Sequence, residues 1–286
     1  MRLLIALTTF VLSAPLFAKD GYPQRVITVA PHLAEMVIVA GGEDRLVGVS
    51  AFSGTQAISQ KLPIISDARS IDLERIKTLK PDLILIWEVG TPATQQAALR
   101  KLFENTHTQI VAVNPRNLND IKKDILTIGK LLGTELTANR AANDYDKKLS
   151  ALKNRYQKPH VTPVKVFYQV WAQPLMTINR DHLIGDIIKT CGAEQLFANE
   201  QLLVPTVSRE AVAQANPDLI IAGIDNPQVK PDWSMWKNLK NLSVTKSNAF
   251  YEIESDIISK PGPRVLLGAD KICQAVERTR QQKQTQ

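Results

Sequence analysis

The side chains able to do chemistry in this chain are few and scattered. Its 286 residues include four histidines, His32, His107, His160 and His182, and two cysteines, Cys191 and Cys273. Hydrolysis or phosphate handling needs tighter groupings. Examples are a serine on a sharp turn, two histidines one helical turn apart beside a glutamate, or a glycine-rich loop opening a helix. No GxSxG, HExxH, GxxxxGK[ST] or GxGxxG pattern occurs, and Gly41-Gly42 follows a helical segment, as a C-cap and turn would. With no marked carboxylate pair either, the chain reads as a binder, not an enzyme. Dispersed histidines also leave no metal ligand set. His32 follows Pro31 at the end of a strand. It either touches a ligand, as an axial nitrogen could, or simply opens the next helix.

Two glutamates stand out by context. Leu73–Trp87 reads LERIKTLKPDLILIW and Arg209–Gly223 reads REAVAQANPDLIIAG. At one constant offset, Glu74 matches Glu210, Pro81 matches Pro217 and Asp82-Leu83-Ile84 matches Asp218-Leu219-Ile220. Each copy is a short helix, a proline stop and a buried strand, so the chain reads as two related halves. Asp72 and Ser208 are natural N-caps, which puts Glu74 and Glu210 in first turns where the helix dipole favours a carboxylate. That suffices as a structural reason. Matched acidic knobs, one per lobe, would also give a partner's arginines two docking points.

The elements that must position these groups follow an α/β rhythm. RVITVA (25–30), LVGVS (46–50), DLILIW (82–87) and QIVAVN (109–114) read as buried strands, with helices at 32–40, 72–80 and 91–105. The spacing then predicts helices over 117–132 and 134–157 without a strand between them, with Thr134 as an N-cap. The second is about 36 Å long if continuous. It carries Ala138, Ala142, Tyr145, Leu149, Leu152 and Tyr156 as one apolar stripe. Strands resume at 164–170, 218–223 and 249–253, with helices at 182–191, 208–216 and 263–280. The organisation is a leader at 1–18, an N-terminal α/β lobe at 24–126, a connecting long helix at 127–158 and a C-terminal α/β lobe at 163–283.

The leader sets the compartment. Met1-Arg2 precedes an uncharged, largely apolar run to Phe17, and Ala18 precedes Lys19-Asp20. That is the pattern of a cleaved secretory signal, too short to span a bilayer. In an exported chain an even cysteine count favours a disulfide over two buried thiols. Closing a loop of about 80 residues would contribute about 4.5 kcal/mol in the chain-entropy model. The net charge of +7 comes from thinly spread lysines and arginines. With no dense basic stretch carrying interleaved aromatics, nucleic acid is not an expected partner.

The segments VITVAPHLAEMVIVAG (26–41), LVGVS, LERIKTLKPDLILIW, CGAEQLF (191–197), VSREAVAQANPDLII (207–221) and PRVLLGADKIC (263–273) resemble one family. It is that of the periplasmic binding proteins of vitamin B12, haem and ferric-siderophore ABC importers, and the likeness is nearest to its vitamin B12-binding branch. It runs from Arg25 to about Val276. It implies two Rossmann-like lobes with mostly parallel sheets joined by a single long helix, a monomer with limited hinge motion, and a corrinoid (cobalamin) held between the lobes as cargo rather than cofactor. Haem or a ferric chelate is the alternative. Cys191 and Cys273 fall where that branch carries its disulfide, and Glu74 and Glu210 where it pairs with permease arginines. The permease and its ATPase are therefore implied partners. Positions matching the family's ligand contacts are Phe52, Trp87, Trp171, Met176, Asp256 and Lys260. Trp87 and Trp171 also stand at the carboxyl ends of strands, where ligands sit in open α/β sheets. Ala68 and Val204 replace tryptophans of the branch, so two stacking surfaces are missing. Trp233 and Trp236 lie elsewhere.

Overall fold

A computed structural model describes residues 21–53, 61–67, 69–158, 160–226 and 228–284. The leader and Ala68 fall outside these residues. The N-terminal sheet contains β1 (Val26–Thr28), β2 (Leu46–Ser50), β3 (Ile64–Ser66), β4 (Leu83–Trp87) and β5 (Gln109–Val113), all parallel, in the order β3-β2-β1-β4-β5. The second sheet contains β6 (Val164–Gln169), β9 (Ala193–Gln195), β10 (Leu219–Ile224) and β11 (Phe250–Glu254), also parallel, in the order β11-β10-β6-β9. Between them in sequence, β7 (Trp171–Ala172) and β8 (Leu175–Met176) form a small antiparallel hairpin. The helices are α1 (Pro31–Val39), α2 (Leu73–Thr78), α3 (Ala93–Phe103), α4 (Leu118–Leu132), α5 (Glu135–Tyr156), α6 (Leu183–Thr190), α7 (Arg209–Ala215), α8 (Ser234–Lys237), α9 (Ser243–Lys246) and α10 (Val265–Gln284).

The two halves repeat one plan. Matched by chain order, β2-β1-β4-β5 and β9-β6-β10-β11 have the same arrangement, and the N-terminal lobe adds β3 at its edge. The Pro-Asp of the repeat has a structural reason. Asp82 accepts the backbone N–H groups of Gln24 and Arg25 at 2.7 and 2.8 Å, fastening the start of β1. Its counterpart Asp218 accepts from Lys165 N–H at 2.9 Å, fastening the start of β6. Just before each proline, Lys80 and Asn216 take positive φ values of 47° and 49°. Each closes its helix with a left-handed residue that turns the chain back into the strand.

Parallel strands covered on both faces must be apolar throughout, and these are. Ile27, Ile84 and Ile86 pack with Ile76, Leu99 and Phe103 on one side of the first sheet. Val26, Leu83 and Leu85 belong to a larger core that includes α1, α4 and α5 and continues into the second lobe as far as Val276. All six residues of the α5 stripe are buried. The connection is thus a packed spine rather than a free strut. It starts at Glu135, inside the 127–158 segment assigned to it from sequence, because Gly133 at φ 63° ends α4. Thr134 does not cap α5 with its side chain; its hydroxyl turns back to the Gly129 carbonyl at 3.4 Å. Cys191 and Cys273 form a buried disulfide, which ties the end of α6 to α10. No described helix is long and apolar enough to cross a membrane.

Candidate ligand cleft

Parallel strands bring chain ends to one edge of a sheet, and the site lies where the carboxyl edges of the two lobes face each other. A pocket of about 270 Å³ is lined by Trp87, Val89, Asn114, Pro115 and Arg116 from the first lobe. From the second come Asp181, His182, Leu183, Leu203, Ile258, Ser259 and Pro261. Trp87 ends β4, and its indole is firmly placed. A Cβ on Gly90 would lie 1.8 Å from Trp87 Cε3, so the backbone there rests directly on the ring. The His32 imidazole meets the indole edge-on, with ring centroids 4.9 Å apart. His32 itself is 1% exposed. It therefore lies behind Trp87 at the start of α1, away from the open cleft. Burial, and then the Lys260 charge, hold its pKa down to about 3, so it stays neutral. His182 lines the pocket and caps α6, accepting from Ile184 N–H at 3.1 Å. Burial lowers its pKa to about 4.

The other sequence-derived positions are distributed around this floor. Phe52 follows β2 at φ 60° and is 81% exposed, so a large ring stands out at the rim. Trp171, 64% exposed, lines a neighbouring pocket of about 450 Å³ at the ends of β6 and β10, with Gln169, Gly223, Asp225 and Val229. Met176 pairs with Trp171 across the hairpin and lines neither pocket. Asp256 is ion-paired with Lys260 and, at 3.4 Å, with Arg264. Lys260 also donates to the Phe52 carbonyl at 3.1 Å, joining the lobes across the seam. Beside it Arg264 N–H donates to Glu35 at 3.1 Å. Burial raises the Glu35 carboxyl to about 7, while the Arg264 charge pulls the other way.

Trp236 does not reach the cleft. It is fully buried, stacked edge-on against Phe167, and its indole N–H donates to Gln169 Oε1 at 2.8 Å. Trp233 packs on Phe250. Sequence reasoning missed Asn114 and Leu203. Asn114 follows β5 directly, so the strand-end rule that found Trp87 would have found it too. Leu202 and Leu203 are both exposed, an adjacent apolar pair in a loop with no periodicity to single it out.

Glu74 and Glu210 sit in the first turns of α2 and α7, behind N-caps in which Asp72 accepts from Arg75 N–H and Ser208 from Ala211 N–H. Both are exposed, and neither carboxylate is in an ion pair among the described residues. Each helix turns back into the strand that follows it, so its N-terminus lies toward that strand's carboxyl end. The topology thus puts both glutamates on the cleft side of their lobes.

Two parallel α/β lobes on a helical spine, with an aromatic-floored crevice between their carboxyl edges, define a ligand-capturing clamp. The chain belongs to the periplasmic binding protein family, whose model matches residues 26–256. It is 34% identical to the vitamin B12-binding protein of Pectobacterium atrosepticum, over 90% of this chain and 89% of that one. It is 28% identical to the vitamin B12-binding protein of Vibrio cholerae, over 94% and 95%. Among solved structures, the periplasmic vitamin B12 binding protein of Vibrio cholerae superposes with a TM-score of 0.79 at 27% identity, covering 90% of this chain and 98% of that one. The haem-binding protein of the same organism shares the fold, with a TM-score of 0.75 at 18% identity over 88% and 98%.

Proposed function

We propose that the protein captures a corrinoid, vitamin B12 or a close relative, in the inter-lobe cleft and hands it to an inner-membrane ABC permease and its ATPase. The observation that carries this reading is the fixed Trp87 platform at the carboxyl edge of one lobe, in a chain whose relatives of 34% identity are vitamin B12-binding proteins. A wide, flat macrocycle needs broad apolar area. Phe52, Trp87 and Trp171 supply it at the floor and rim, and Asp256 and Lys260 supply hydrogen bonds to polar side groups. Engaging that pair requires exchanging its present partners, including the Phe52 carbonyl, for the ligand. Glu74 and Glu210 serve as twin docking points for cationic groups of the permease, setting encounter and orientation more than affinity. The protein works as a monomer in the periplasm after removal of residues 1–18. Titration of purified protein with cyanocobalamin, hemin and ferric chelates, followed by visible absorption, tests the reading. Saturable one-to-one binding of cyanocobalamin is the expected result, and binding of hemin or a ferric chelate in its place would overturn it.

A further inference from the structure

A groove away from the cleft follows the seam between the spine helix α5 and the last helix α10. Its wider part, about 770 Å³, is walled by Lys148 and Arg155 of α5 and by Lys271 and Gln274 of α10, with Leu152 and Leu266 below. Arg155 and Gln274 also line a second hollow of about 580 Å³ that reaches Arg278, so the two are continuous. None of these residues lines either pocket of the cleft. The Tyr156 hydroxyl donates to Asp270 at 2.9 Å and ties the two helices together. On the α10 wall Leu267 is 59% exposed, and Ala151 is exposed on the α5 wall.

The charges lining the groove are unevenly paired. Every carboxylate there already has a partner in this chain. Glu254 pairs with Lys271 at 3.3 Å, Asp270 accepts from Tyr156 and Gln274, and Glu277 pairs with Lys158. Lys148, Arg155 and Arg278 line the same walls, are exposed, and meet no carboxylate among the described residues. The Arg155 and Arg278 guanidinium groups lie 5.1 and 5.4 Å from the ring centres of Tyr156 and Tyr251. Such contacts position a cation without neutralising it. Lys148 and Arg155 are two turns apart on one face of α5, about 10.5 Å along the axis.

We propose that the α5–α10 groove seats an acidic amphipathic helix of a partner protein. Two helices packed side by side leave a furrow that a third helix fills, laying its apolar face into it. Leucine-sized residues of the partner cover Ala151, Leu152 and Leu267. Carboxylates two turns apart on its flank meet Lys148 and Arg155, and another meets Arg278. The sign of the charge separates this surface from Glu74 and Glu210. A cationic permease patch that suits those glutamates is repelled here, so the groove serves a different contact. A second copy of this chain, docking by the same face, would bring the same three unpaired cations against their own kind. A flat anionic bilayer would meet the rims and leave the furrow unfilled.

The test is fluorescence anisotropy with the purified protein and a labelled peptide of about 18 residues, five helical turns, with leucines along one face and glutamates on its flanks. A copy with lysine for every glutamate is the control. The glutamate peptide should bind saturably and one to one, and the lysine peptide about tenfold more weakly. Lys148→Glu with Arg155→Glu should weaken the glutamate peptide about tenfold, as two attractions become repulsions, and should keep the melting temperature and the affinity for cyanocobalamin. Leu267→Glu should weaken it through the apolar wall, and it carries the test if the double variant does not fold. No saturable binding, equal binding of the two peptides, or undiminished binding in both variants overturns the inference. Retention on phosphatidylglycerol–phosphatidylethanolamine vesicles without peptide binding, or a concentration-dependent dimer lost in Leu267→Glu, gives the face to another occupant and overturns it too. A wild type that binds the peptide but no corrinoid removes the functional reading and leaves this inference standing.

Discussion

The two lobes share a blueprint and differ at their rims. Both have the same strand order, the same Pro-Asp fastening and the same left-handed helix closure at Lys80 and Asn216. At the cleft they diverge. The first lobe offers a wedged indole with unpaired polar atoms around it. The second offers an exposed Trp171 and charges already paired with one another, Asp256 with Lys260 and Arg264. One wall is a wedged ring, the other is held by its own ion pairs. The repeat keeps what builds a sheet and varies at the rims.

The comparison can be broken or sharpened in several ways. The largest effect is expected where the lobes remain alike. Reversing Glu74→Lys and Glu210→Lys together should abolish uptake while leaving ligand affinity near the wild-type value. Each single reversal should weaken uptake. Vesicle transport assays check this, and full transport by the double variant would remove the docking role. Next is stability. Only the second lobe holds a disulfide, so Cys191→Ser with Cys273→Ser should lower unfolding free energy by about 4 kcal/mol, read from urea denaturation. Third, Trp87→Ala should weaken cyanocobalamin binding by at least about 1 kcal/mol. Trp171→Ala, at the mobile-partnered wall, should cost less. The reverse order would exchange the roles of the walls.

The smallest effect concerns pH. His32 and His182 titrate near 3 and 4 in the folded protein, below the ordinary 6.5, so acidification from pH 6.5 favours the unfolded chain, which binds the protons. Glu35 near 7 and Asp124 near 6, both raised chiefly by burial, act oppositely over their own windows: the folded state holds their protons, so acidification there favours folding. The contributions offset between about pH 4.5 and 6.5. Glu35→Gln should therefore steepen the loss of melting temperature across that range, and an unchanged slope would show that Glu35 does not bind its proton as placed.

Much of this was legible in the sequence because its signals are local. Buried parallel strands are runs of β-branched residues, and helices end at glycine, proline or asparagine. The α5 stripe, the strand positions and the repeat could be read directly from such patterns. What escaped depends on tertiary closure. The strand β3 and the strand β9 are three residues each, and the β7–β8 hairpin is two plus two, too short to show a period. Trp87 was marked by its place at a strand end, whereas nothing in the sequence around Trp236 told whether it reached the cleft; the fold seals it in the core against Gln169. His32 is placed at a strand end by its neighbours, but only the packing of Trp87 over it puts it out of reach.

The apolar core that runs unbroken from Val26 through the α5 stripe to Val276 has a thermodynamic consequence. Neither half can melt without exposing the flank of the other, so heat should unfold the chain in one cooperative step, with calorimetric and van't Hoff enthalpies in agreement. Despite its repeated pattern, the molecule should behave as a single folding unit, and an isolated half would lose the surface that completes it.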